Sequence, residues 1–132
     1  MKPVKQTKAG PDGNCFQAAI ASLLELPLEA VPDFVGIWDT GPTKKTPAWL
    51  REFGSWAAKR GCVVVAFKWT DSFIGPRGTY FIAVGPSPVY EGLDHAVIAS
   101  ATASGALIEH DPGETGITEI VDVYMVFPAV TA

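Results

Sequence analysis

The chain of 132 residues is 48% hydrophobic and 18% charged, a globular balance with enough apolar material for one core. Its net charge of −4 and its scattered basic residues exclude the electrostatic footprint of a nucleic-acid binder. With 11 prolines and 13 glycines, the chain reads as short elements joined by loops, not as a helical bundle. No apolar run approaches the roughly 18 residues of a membrane span, so no membrane partner is expected. The start, "MKPVKQTKAGPDG", lacks an apolar signal segment, and a cytoplasmic location follows as the expectation.

In chain order, residues 1–13 read as an extended lead-in, closed by the turn chemistry of Asp12, Gly13 and Asn14. A first helix is predicted from about Cys15 to Leu26. Phe16, Ala19, Ile20, Leu23 and Leu24 fall at helical spacing, Ala18 and Ala21 leave the other faces small, and Pro27 stops it. "PLEAVPDF" reads as one more helical turn before a loop, "VGIWDTGPTKK". A second helix has Thr46 as N-cap, Pro47 in its first turn and Gly61 at its exit. Trp49, Leu50, Phe53, Trp56 and Ala57 make its apolar stripe. From Cys62 the pattern changes to strands: "CVVVAFKW", "TYFIAVG", "HAVIAS", "ALIEHD" and "EIVDVYMVF". Helices first and strands afterwards predict an α+β fold, with an antiparallel sheet packed against the first helix. Without repeat, linker or low-complexity segment, residues 1–132 read as a single domain.

Cys15 stands where a glycine-containing turn becomes an apolar helix. A thiol there feels the free N–H groups and the positive end of the helix dipole, which favour thiolate. A working nucleophile then needs a base within hydrogen-bond reach, and that base needs an orienting group. His95 opens the strand "HAVIAS" and Asp111 ends "ALIEHD". If those two strands form a hairpin around "TASG", the start of one lies beside the end of the other and the two residues become cross-strand neighbours. His110 alternates with Asp111 and is expected to face the other way.

For the oxyanion, the Cys15 backbone N–H is one donor; Gln6 is the first choice of side-chain donor and Asn14 the second. Trp38 and Trp69 lie near loops and are candidates for a cleft wall. So are "GPSPVYEG", which contains Ser87, and "GIWDTGPTKK". The structural alternatives are plain: Cys15 as a packing residue, His95 as a core histidine, Asp111 as ordinary Asp-Pro-Gly turn chemistry. Cys62 reads as core and Trp49 and Trp56 as packing. Two cysteines in a reducing compartment read as free thiols, and no His or Cys pair has zinc-ligand spacing.

The order of a cysteine at a helix start, "DHAV" and a polar residue one hairpin later resembles the papain-like cysteine peptidases. "DHAVIA" resembles the histidine strand of that superfamily. "IEHDP" is similar to its bacteriocin-processing (double-glycine) peptidase branch, and "DGNCF" to the nucleophile motif of ovarian-tumour (OTU) deubiquitinases. Small phage and prophage proteins of papain-like type, with a similar "GNC…ASLL-LPLEEVP" start and a late "HAV…HDP", resemble most of the chain. The resemblance implies a papain-like fold, with Cys15 as nucleophile, His95 as general base, Asp111 as orienting residue and Gln6 as the oxyanion glutamine. The OTU likeness instead implies that the turn around Asp12 shapes the oxyanion hole. Asn14, Asp12, Trp38 and Ser87 are then the candidate substrate-binding residues. The implied activity is hydrolysis of a peptide, isopeptide or related amide, with no metal or organic cofactor. Two alternatives stay open: an acyltransferase using the same triad, and a catalytically idle binding protein that engages a host factor in the host cytoplasm.

Overall fold

The computed structural model describes residues 1–38, 48–70 and 78–129. Within them, helices α1 (Cys15–Leu24), α2 (Phe34–Trp38) and α3 (Ala48–Lys59) precede strands β1 (Cys62–Lys68), β2 (Tyr80–Pro86), β3 (Asp94–Thr102), β4 (Gly105–His110) and β5 (Asp122–Pro128). None of these helices is long and apolar enough to cross a membrane. The class is α+β, as the order of elements predicts. The expected N-cap Thr46 and Pro47 lie outside the described residues, as does the stretch "DTGPTKK" of the expected loop.

The first helix ends earlier than its pattern predicts. A residue before proline disfavours the α region, so Leu26 cannot continue the helix into Pro27. Glu25 turns left-handed instead (φ 56°), its N–H bonding back to the Ala21 and Ser22 carbonyls. The stretch read as a loop after Phe34 is α2 over its first residues, anchored by Phe34 and Trp38 stacked at 5.7 Å.

The five strands form one antiparallel sheet in the order β1-β5-β2-β3-β4. The last strand is therefore internal, paired with β1 along its length and with β2 through Ile82–Tyr124, Ala83–Val123 and Val84–Asp122. Alternate residues of the strands enter two cores. On the helix side, Ile82, Val84, Ala96 and Ile98 meet Phe16, Ile20, Phe34 and Phe53. Phe16 is the hub, edge-on to Trp49 at 4.9 Å, Tyr124 at 5.1 Å and Phe53 at 5.9 Å. Each such pair adds roughly 0.5–1.5 kcal/mol beyond area burial. On the other side, Phe81, Ala83, Val97, Ala99 and Val123 are fully buried beneath Trp69, Ile117 and Ile120. Trp69 thus belongs to this second core, and Cys62 is half-buried in edge strand β1, short of the core position its valine-rich context predicts.

The lead-in is tied down on both sides. From α1, Ser22 Oγ accepts the Val4 N–H at 2.9 Å and donates to the Ala18 carbonyl at 2.8 Å. From the end of β4, His110 Nε2 bonds the Val4 carbonyl at 2.8 Å, and the Gln6 N–H donates to the Pro112 carbonyl at 3.1 Å. Residues 2–8 are thereby threaded between α1 and the end of β4.

The segment 117–121 crosses the end of β2 so closely that a Cβ on Gly85 would collide with the Glu119 carbonyl oxygen. Gly85 pairs with His95 across the sheet, so this crossing also fixes the start of β3. Gly85→Ala is expected to cost about 1–3 kcal/mol by overpacking, read as a lowered urea midpoint with unchanged slope; an unaltered midpoint would contradict the packing described.

Candidate active site

Cys15 is the first residue of α1 and is half-buried. Its N-cap, Asn14, makes no capping bond to the helix. Instead the Asn14 carboxamide is buried and turned to the lead-in: Oδ1 accepts the Thr7 and Lys8 N–H groups at 3.0 and 2.9 Å, and Nδ2 donates to Thr7 Oγ1. This leaves the first amides of α1, which have no intrahelical acceptor, without a side-chain cap from Asn14.

His95, with a relative exposure of 6%, stands between Cys15 and Asp111. Its Nε2 bonds Asp111 Oδ1 at 2.5 Å, and the Cys15 thiol lies near enough to raise the ring's affinity for a proton. With Nε2 engaged by Asp111, Nδ1 is the ring nitrogen left for another partner. Burial alone would lower the His95 pKa, but the hydrogen bonds and charges of Cys15 and Asp111 outweigh it and raise it above its ordinary 6.5. Asp111 shifts the other way. Burial would raise it, yet the His95 bond and the Gly116 and Gly113 N–H groups hold its carboxyl below the usual 3.8.

The hairpin "HAVIAS"/"ALIEHD" forms as predicted, closing through Thr102–Gly105, but it contains a bulge. Ala99 pairs with Ile108 and Ile98 with His110, so β4 carries one extra residue there. The bulge makes Asp111 a diagonal neighbour of His95 and brings Gly113 against the ring. A Cβ on Gly113 would lie 2.9 Å from His95 Cε1 and 2.7 Å from Gln6 Oε1, so only glycine fits. His110 faces away from the imidazole, holding the lead-in as described.

A cleft of about 540 Å³ opens beside Cys15 and His95. Gln6 reaches it, as does Ser87, whose Oγ accepts the Val89 and Tyr90 N–H groups and so shapes the wall rather than offering a free hydroxyl. The Gln6 donor, however, is turned away: Nε2 bonds the Lys8 carbonyl at 2.9 Å, while Oε1 is buried without a partner. Three other candidates do not line the cleft: Asn14 is a staple for the lead-in, Asp12 is exposed on a 3-10 turn, and the half-buried Trp38 stacks on Phe34 against the helix-side core. In their place Trp49, Tyr90 and Tyr124 line it. Trp49 sits on a helix stripe that reads as packing, and it does both. Among the described residues no three His, Cys, Asp or Glu side chains converge to hold a metal ion.

No family model matches this chain, and no curated protein matches its sequence.

Replacing Asp111 by Asn tests the electrostatics. The raised His95 contributes stability that is complete below about pH 6.5 and is lost as pH rises through its folded value. The lowered Asp111 contributes stability present above about pH 4 and lost as pH falls through its folded value. Asp111→Asn removes the Asp111 contribution and the part of the His95 contribution that Asp111 supplies. The variant should therefore be less stable by about 2 kcal/mol between pH 4 and 6.5, with the gap narrowing on both sides. Urea unfolding across pH checks this; a gap independent of pH would contradict it.

Proposed function

We propose that this chain is a papain-like cysteine hydrolase acting on a peptide, isopeptide or related amide. The observation that carries the reading is the His95 imidazole, bonded through Nε2 to a half-buried Asp111 and standing near enough to the Cys15 thiol for the sulfur to raise its affinity for a proton. Three residues from separate elements meeting in that order, at the mouth of a cleft, make a nucleophile, a base and an orienting group.

In this reading His95 takes the Cys15 proton, and the sulfur attacks the substrate carbonyl carbon. The carbonyl oxygen becomes an oxyanion held by the Cys15 N–H at the start of α1. The C–N bond breaks, His95 protonates the departing amine, and a thioester remains on Cys15. His95 then takes a proton from water, whose oxygen attacks the thioester; the acid leaves and the thiol is restored. Asp111 stays ionised throughout and stabilises the imidazolium. Gln6 joins the oxyanion hole only if its carboxamide turns over, giving up the Nε2 bond to the Lys8 carbonyl to place Nε2 where Oε1 now lies. An acyl acceptor other than water would make the same site a transferase.

The test is the pH dependence of iodoacetamide labelling at Cys15 against Cys62, read by peptide mass spectrometry. The reading predicts selective labelling of Cys15 at mildly acidic pH, at least about tenfold faster than at Cys62 and lost in His95→Ala. Slow, equal labelling of both thiols would overturn it and leave a protein that uses the cleft for binding alone.

A further inference from the structure

The cleft has a chemical bias that amide hydrolysis does not require. Its inner wall is aromatic, formed by Phe16, Trp49 and Tyr124, and its rim carries three carboxylates, Asp33, Asp94 and Asp122. Among the described residues no lysine or arginine side chain lines it. The three acids are not equivalent. Asp33 Oδ1 accepts the Gly36 N–H, and Asp122 Oδ1 pairs with Lys68 at 2.6 Å. Asp94, the residue before His95, is exposed and makes no hydrogen bond or ion pair among the described residues. Asp94 and Asp122 converge on one point: with burial as the main cause, their charges hold the Tyr124 phenol proton far above its ordinary range. Their field therefore reaches into the aromatic recess itself.

We infer that this recess selects a substrate residue with a long aliphatic stem ending in a cation, a lysine- or arginine-like side chain. The inference rests on Cys15 being the nucleophile proposed above. The methylenes of such a side chain bury against Phe16 and Trp49, and an amphipathic stem loses little by keeping its head at the rim. The cation lies within the field of Asp94 and Asp122 and can face an aromatic ring. An acidic side chain would meet like charge there, and a neutral stem would leave Asp94 without a counter-charge.

The test uses short peptidyl chloromethyl ketones that differ only in carrying lysine, norleucine or glutamate. The residue is varied at the position next to the ketone in one series and at the preceding position in the other. In each reaction the Cys15 thiolate supplies the electron pair of the new S–C bond and chloride leaves with the electrons of the old one, so nothing is oxidised or reduced. In one of the two series the lysine reagent should label Cys15 about tenfold faster than norleucine, with glutamate slowest. Asp94→Asn should reduce the lysine-to-norleucine ratio to about twofold or less. Asp122→Asn should move it in the same direction, each variant being checked for native circular dichroism. Equal rates for lysine and norleucine in both series, or a ratio unchanged in both variants, would overturn the inference. Iodoacetamide run alongside separates the two claims. Ready labelling of Cys15 without a lysine preference overturns the cation recess and leaves the nucleophile standing. Failure of every reagent at Cys15 overturns both.

Discussion

A carboxylate already surrounded by backbone donors has nowhere else to go, and Asp111 is one. Its Oδ1 accepts the Gly113 and Glu114 N–H groups at 2.9 and 3.0 Å, and its Oδ2 accepts that of Gly116. The loop achieves this wrap with two left-handed residues, Glu114 at φ 59° and Gly116 at φ 77°. Fixed and ionised, the carboxylate dictates which nitrogen of His95 it engages, and so which one is left for the sulfur. The ring's orientation descends from that loop, and its affinity for a proton from Cys15 and Asp111 together. The exposed Lys5–Glu114 pair at its edge adds little, since both side chains are more than 70% exposed.

The second constraint is the lead-in. It enters the structure as a strip of chain with few apolar residues of its own, held by Ser22, Asn14, His110 and the Pro112 carbonyl. Those bonds connect the start and interior of α1 with the end of β4, the two elements that carry Cys15 and Asp111. The site is consequently braced from behind by polar contacts, while its front is a cleft with aromatic walls. Asn14 illustrates the exchange involved. By stapling the lead-in it gives up the cap of its own helix, and the uncapped amides are the ones a developing oxyanion would need.

Much of this was legible in the sequence. Cys15, His95 and Asp111 could be singled out because each sits at a punctuated boundary: Cys15 after a glycine turn, His95 at a strand start, Asp111 before Pro-Gly. Helical spacing marked α1 and α3, and apolar runs separated by glycine-, proline- and serine-rich turns marked the strands. What could not be read is whatever depends on long-range pairing. Nothing local says that β5 inserts between β1 and β2, and this insertion is what carries Tyr124 to the cleft. The bulge opposite Ile98 has no glycine to announce it, so Gly113 went unnoticed as the residue against the imidazole. Trp38 and Trp49 look alike in one dimension, each near a loop or on an apolar stripe. Only the packing of α2 and α3 decides that Trp38 stacks on Phe34 while Trp49 lines the cleft beside Cys15. Asn14 and Asp12 misled for the opposite reason, because polar residues flanking a cysteine suit a turn as well as they suit a site.

The central claim is that Cys15 and Asp111 together raise the affinity of the His95 ring for a proton. The most direct measurement is the pH titration of the ¹⁵N chemical shifts of both His95 ring nitrogens, in the native chain and in Cys15→Ser. The expected result is a titration above that of an ordinary imidazole in the native chain, moved to lower pH once the sulfur is replaced. A ring that titrates at or below the ordinary imidazole value, and identically in Cys15→Ser, would contradict it.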